Sequence, residues 1–294
     1  MQKIFIVFNV CLFLSITILS GQESGQENFK AFRGTTLLNV KTTENVPEKG
    51  FIFTIQHRFG LADLQNELLL DLFGMDLTSN IRFGFTVPLT RSTYIGVGRT
   101  KIGKNYDFEF NQILLKQSPE KRIPLSIALY TNAAISSSEF PEVQPDNYFR
   151  DGIIPFSYNA HHRWSYLSQI IISRKFGNWF SLLVSPSYVH QNLADPGEYN
   201  KRWVIPFGAE IRTGLFSSII FEYAHLFDNF NGRDNPYGIG WEYQTASHLF
   251  QIFISNKNNI LGQNYLMKEI GADFGDYTFF LGFNLHRTLW VKKN

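Results

Sequence analysis

The chain has 294 residues and a formal net charge of +2; 18% of its residues are charged and 16% are aromatic, with 29 Phe and 13 Tyr. The charged fraction is below the roughly 25% of ordinary soluble domains, and a small net charge with no basic run excludes nucleic acid as a partner. The one cysteine, Cys11, sits in the apolar N-terminal stretch, so the rest of the chain has no disulfide and no thiolate chemistry.

Residues 1–21 read as a secretory signal peptide. Lys3 supplies the positive start, Ile4 to Leu19 the apolar run, and Ser20-Gly21 the small residues before Gln22. Residues 22–33 (QESGQENFKAFR) are expected to form a polar N-terminal tail, and 34–294 a β-barrel domain. No later stretch approaches the roughly 18 apolar residues of a spanning helix, which leaves strands as the way to cross a membrane.

Thr35 to Lys41 is a possible first strand. Leu61, Leu64, Leu68 and Leu72 then fall at helical spacing. That predicts a short amphipathic helix at a rim or lipid interface, with a plug or lid over the lumen as the other reading. From there a period of two dominates. Ile81, Phe83, Phe85 and Val87 alternate with Arg82, Gly84 and Thr86; Tyr106, Phe108 and Phe110 alternate with Asp107, Glu109 and Asn111; Phe207, Ala209 and Ile211 alternate with Gly208, Glu210 and Arg212. In the last segment Tyr277, Phe279, Leu281, Phe283 and Leu285 share one face. A sandwich would turn its polar face to bulk water, with Lys and Thr on it. Here the second face carries Gly, Ser, Asn, acids and a lone Arg, which suits the confined interior of a barrel, while the aromatic face suits lipid.

Twelve strands are expected, at 51–58, 80–88, 91–99, 106–116, 122–134, 164–174, 178–190, 202–213, 217–227, 236–243, 247–256 and 277–289, with fourteen as the alternative. From residue 116 onward short and long connections alternate, as in outer-membrane barrels with short periplasmic turns and long external loops. An even count returns both ends to the periplasm, and that puts 35–41 in doubt as a wall strand. Trp164, Tyr166, Trp179, Tyr188, Trp203, Tyr237, Trp241, Tyr243 and Trp290 lie near strand ends, where an interfacial girdle is expected.

The candidate lumen or binding residues are Arg82, the pair Asp107 and Glu109, the pair Glu210 and Arg212, and Glu222, grouped with His225. Paired acids on one strand face either bind a solute or make cross-strand ion pairs that stiffen the wall. The seven His show no metal-ligand spacing. No cofactor signature is present. Ser168, Ser173, Ser185 and Ser255 lie on strands without a G-x-S-x-G elbow.

Three stretches carry a resemblance: QHRFG from Gln56 to Gly60, PYGIGWEYQTASHLFQIFISN from Pro236 to Asn256, and GFNLHR from Gly282 to Arg287. Together they resemble a family of Bacteroidota outer-membrane β-barrel proteins of unknown function. The resemblance implies a barrel, an export signal and an outer-membrane location, and transfers no substrate or catalytic residue. The leucine-rich 61–73 stretch departs from the shorter, Gly-rich segment typical of that family.

The expected function is a pore or transporter for small solutes, in contact with outer-membrane lipid. The alternatives are a closed structural or binding barrel acting through its long loops, and an outer-membrane lipid-modifying enzyme.

Overall fold

The computed structural model describes residues 29–65, 71–120, 122–140, 142–144, 146–149, 152–194, 200–227, 235–268 and 271–291. The expected signal peptide, 1–21, lies outside them.

The strands are β1 (Gly50–Asp63), β2 (Asn80–Thr90), β3 (Thr93–Thr100), β4 (Asn105–Leu115), β5 (Ser126–Ser136), β6 (Trp164–Phe176), β7 (Phe180–Val184), β8 (Ser187–Gln191), β9 (Lys201–Arg212), β10 (Ser217–Leu226), β11 (Tyr237–Gln244), β12 (His248–Ser255) and β13 (Thr278–Trp290). Each pairs antiparallel with its neighbours, and β13 pairs with β1, which closes the sheet. β7 and β8 both lie between β6 and β9. They are the two halves of one strand, broken at Ser185-Pro186, where proline has no N–H to give the ladder. The barrel therefore has twelve wall positions, as the sequence predicts, and closure leaves no sheet edge unpaired in lipid.

Alternation sets the two faces. Along β2 Asn80, Arg82, Gly84 and Thr86 are buried inward while Phe83, Phe85 and Val87 are exposed outward. Along β4 Asn105, Asp107, Glu109 and Asn111 point in, and Tyr106 and Phe108 point out. Along β13 Phe280, Gly282, Asn284 and His286 point in. Ring contacts on the outer wall join neighbouring strands, such as Phe53 with Phe85 at 4.8 Å and Tyr188 with Trp203 at 4.9 Å. Trp179, Trp203, Trp241 and Trp290 are all exposed near strand ends, where an indole sits well between hydrocarbon and headgroups. Phe108 is 52% exposed on this face. Phe108→Arg is expected to cost about 2–4 kcal/mol, the price of a cation near the bilayer midplane. Urea unfolding in lipid vesicles checks it, and a loss well under 1 kcal/mol would place Phe108 off the lipid face.

One end of the barrel carries tight turns, such as Gly177 to Trp179 and Thr245 to Ser247, and the other carries long connections, such as 137–163 and 256–277. The short-turn end is the periplasmic one by the rule for such barrels.

Thr35 to Lys41, in line with the even strand count, is not a wall strand. Its single bridge, Thr36 to Lys41, is internal to a hairpin. The expected polar tail is described from Phe29 onward, and there Ala31 and Phe32 are buried, at 4% and 0% exposure. Across 61–73 the helical leucine spacing does not produce a helix in the described residues. β1 runs on to Asp63, because Leu61, Ala62 and Asp63 pair with Phe280, Phe279 and Thr278 of the last strand. Leu61 is thereby turned outward. Residues 66–70 lie outside the described residues.

Candidate lumenal site

Residues 30–46 form a hairpin that enters the barrel from the short-turn end and turns back at 37–40. The turn is closed by the Leu37 N–H donating to the Val40 carbonyl at 2.9 Å. Leu37, Leu38 and Phe32 are at most 1% exposed and pack with Leu183, Ile220 and Phe253 of the wall. Each such burial contributes about 1.5–3 kcal/mol. The wall makes room by omitting side chains. A Cβ on Gly238 would stand 2.8 Å from Leu38 Cδ1, and one on Gly240 3.2 Å from Leu38 Cδ2.

Buried wall charges satisfy the hairpin backbone. The Glu222 carboxylate accepts the N–H groups of Leu38, Asn39 and Val40 at 3.0–3.1 Å, and the Asn39 Nδ2 at 3.0 Å. Three successive N–H groups converging on one carboxylate form an anion nest, and each bond is charge-assisted. From β1, Arg58, fully buried, donates Nη2 to the Leu38 carbonyl at 3.1 Å and to Asn39 Oδ1 at 3.0 Å. Asn284 Nδ2 donates to the same Leu38 carbonyl at 3.0 Å.

Nearer the periplasm, Glu210 accepts the Arg33 N–H at 3.1 Å and pairs with Arg212 Nε at 3.1 Å. Arg212 Nη2 donates to the carbonyls of Lys30 and Ala31. Arg33 Nη1 and Nη2 reach the Leu215 and Gly214 carbonyls of a short turn, both at 2.9 Å. A buried charge is tolerated only when paired and hydrogen-bonded, and here the hairpin supplies the pairing.

The second inserted segment comes from the long-loop end. Residues 256–268 dip inward and carry a short helix, α1 (Gly262–Met267), whose Gln263, Tyr265, Leu266 and Met267 are buried. Arg202 donates to the Leu266 carbonyl at 3.2 Å, and Gln263 Nε2 to Asn132 Oδ1 at 2.8 Å. Tyr265, Leu266 and Met267 join the apolar wall residues Leu167, Ile171, Val189, Val204 and Leu226 in one cluster. Burial first, and the Glu222 carboxylate second, push the Tyr265 phenol well above its usual range, so it stays protonated.

Between hairpin and α1 loop is a chamber of about 40 Å³, room for very few waters at roughly 10–15 Å³ each. Its polar lining centres on two ion pairs. Arg82 makes a two-pronged contact with Asp107, Nε to Oδ1 at 2.9 Å and Nη2 to Oδ2 at 2.6 Å. Lys41 of the hairpin pairs with Glu109 at 2.6 Å, and Glu109 also accepts the Tyr130 hydroxyl at 2.9 Å. Gly96 and Gly98 on β3 leave space for these side chains. A Cβ there would stand 2.7 Å from Glu109 Cγ and 2.6 Å from Arg82 Cζ.

The six candidate residues all face the interior but fall into separate groups. Arg82, Asp107 and Glu109 line the chamber; Glu210 and Arg212 grip the first limb of the hairpin; Glu222 clasps its tip. His225 does not join Glu222. It is an odd number of residues away and points outward, where it meets the Phe227 ring at 5.0 Å. Ser173 and Ser255 face inward and are engaged by the Thr43 hydroxyl and the Tyr237 carbonyl, and Ser185 is buried.

Arg58, Glu242, Arg202 and Lys41 are absent from the candidates. Strand parity would have found Arg58, which shares a face with Thr54 and Gln56, and Glu242, set between the outward Trp241 and Tyr243. Lys41 ends the possible strand Thr35 to Lys41, which takes no place in the wall, and nothing local marks it as an ion-pair partner.

The chain is similar in structure to the KdgM porin, at 7% identity and a TM-score of 0.48, over 81% of this chain and 99% of that one. It is similar to the NanC porin at 6% identity and 0.48, over 81% and 100%. The outer membrane phospholipase A from Escherichia coli aligns at 11% identity and 0.44, over 82% and 91%. No curated protein matches it in sequence. Residues 32–289 match the membrane bound beta barrel domain (DUF5777), whose span takes in the hairpin as well as the wall, and the chain belongs to that family.

Proposed function

We propose that the protein is an outer-membrane pore or transporter for small solutes, closed in this conformation by the hairpin from the periplasmic end and the α1 loop from outside. One observation carries this reading: the lumen is blocked by segments that take no part in the wall. The β1 to β13 ladder is continuous without residues 30–46 or 256–268, so either can move while the barrel stays shut to lipid. An export signal at 1–21 and origin in a Bacteroidota outer membrane are part of the same proposal, motivated by the N-terminal sequence and the QHRFG and GFNLHR stretches.

The test is planar-bilayer recording. The intact protein is expected to be mostly silent with rare openings, and deletion of residues 30–46 together with replacement of 260–267 by a short Gly-Ser linker to give discrete, sustained conductance steps. Heat-modifiable gel mobility verifies that the deleted form is a barrel. A folded deletion variant that never conducts would rule the pore out.

The small volume of the chamber also favours a second reading, a closed barrel that binds partners through its long loops. In that case a stoichiometric partner would copurify and the deletion variant would stay silent. Catalysis is the weaker reading, since Ser173 and Ser255 are taken up in structural contacts.

A further inference from the structure

We infer that the chamber between hairpin and α1 loop, which holds only a few waters when shut, becomes a binding site for a neutral, hydroxyl-rich small solute when the α1 loop lifts from the long-loop end and widens it. The inference deepens the transport reading and rests on it for its place on a pathway.

The charge balance is the first argument. The chamber holds two cations and two anions, Arg82 and Lys41 against Asp107 and Glu109, each paired within it. An ionic solute would bring one unpaired charge into an enclosed space, which is costly. A neutral solute brings none.

The lining chemistry is the second. Gln56 Oε1 already accepts from Arg82, Asn132 is bonded to Asp107 and Gln263, Gln169 Nε2 donates to Ser187 and the Tyr130 hydroxyl donates to Glu109, so the lining offers a solute the Gln56 Nε2 donor, the Gln169 Oε1 acceptor and the second lone pairs of Tyr130 and the two carboxylates. Amides both donate and accept, and carboxylates accept, which matches hydroxyl groups that do both. Leu167 and Pro206 add apolar surface for a carbon skeleton.

The way in is the third. The roof is one six-residue helix, seated by Gly262 against Leu167, by Gln263 on Asn132 and by neutral backbone carbonyls that accept from Arg202, with its apolar residues in the wall cluster. A Cβ on Gly262 would stand 2.7 Å from Leu167 Cδ2. The floor, by contrast, is the hairpin tip gripped by Glu222 and Arg58. The outer closure is the one a solute displaces.

Gly262→Leu is the lever, because its side chain must push the roof off Leu167. Titration calorimetry of the folded barrel in detergent would use glucose, with glucuronate and glucosamine as charged counterparts of the same ring size. Gly262→Leu is expected to bind glucose about tenfold more tightly than the unaltered protein, since a site closed most of the time loses affinity by its open fraction. It should prefer glucose over either charged sugar by about tenfold. Adding Gln169→Leu should abolish most of the binding. Absence of glucose binding by a folded Gly262→Leu barrel overturns the inference, as does equal or tighter binding of a charged sugar. Binding is read without any current, so its failure is separable from failure of the pore reading, which bilayer recording decides.

Discussion

Replacing Glu222 with alanine is expected to free the hairpin tip and raise the frequency of channel openings about a hundredfold. The carboxylate accepts three backbone N–H groups and one side-chain amide from residues 38–40. In its absence those donors face a buried Ile220, Ala224 and Leu38 environment with little to accept them. Hydrogen bonds to a charged group contribute about 1.5–3 kcal/mol each, but they do not add fully, because water replaces some once the tip moves. A net loss of about 3 kcal/mol of docking energy corresponds to roughly a hundredfold larger undocked population. Two measurements check it: opening frequency in planar bilayers, and hydrogen exchange at the amides of 38–40, which should quicken by a similar factor. Wall amides in β1 and β13 should not change, since their ladder does not depend on the tip. Unaltered exchange at 38–40 would mean that Glu222 does not hold the hairpin.

The largest stability effect is expected at Arg82. Its guanidinium is buried, contacts both oxygens of Asp107 and donates to Gln56 Oε1 at 3.2 Å. Arg82→Ala leaves Asp107 buried with the Asn132 amide at 3.2 Å as its remaining side-chain partner, and removing one member of a buried pair costs about 3–5 kcal/mol. The barrel should therefore lose its heat-resistant gel mobility at a clearly lower temperature. The double replacement Arg82→Leu with Asp107→Leu should recover most of that loss, since it leaves no unpaired charge. If the double variant were as unstable as the single one, the packing of the arginine stem beside Gly84 and Gly98 would be the source of stability rather than the ion pair.

Both predictions turn on side chains that parity alone assigns to the interior. Arg82, Asp107, Glu109, Glu210 and Glu222 alternate with large apolar residues, and a wall strand has two faces, so exclusion from lipid is enough to place them. The placement of His225 shows the limit of grouping by nearness: one odd step along a strand puts it on the opposite side of the wall from Glu222. Leu61 shows a related limit. Its helical spacing to Leu64 is a local signal, and pairing of Leu61 to Asp63 with the last strand, more than two hundred residues away, overrides it there.

The twelve-strand wall, its closure and its lipid face are properties of a two-residue period repeated along the chain, and the sequence by itself determined them. The C-terminal strand is the clearest case, with Leu281, Phe283 and Leu285 turned out and Gly282, Asn284 and His286 turned in. What fills the barrel was decided only by the tertiary structure. Residues 30–46 and 256–268 have no period to read, because each side chain answers to a different wall residue. Lys41 meets Glu109, Arg33 meets Glu210, and the backbone at 38–40 meets Glu222, partners brought within about 3 Å only when the sheet has closed around them.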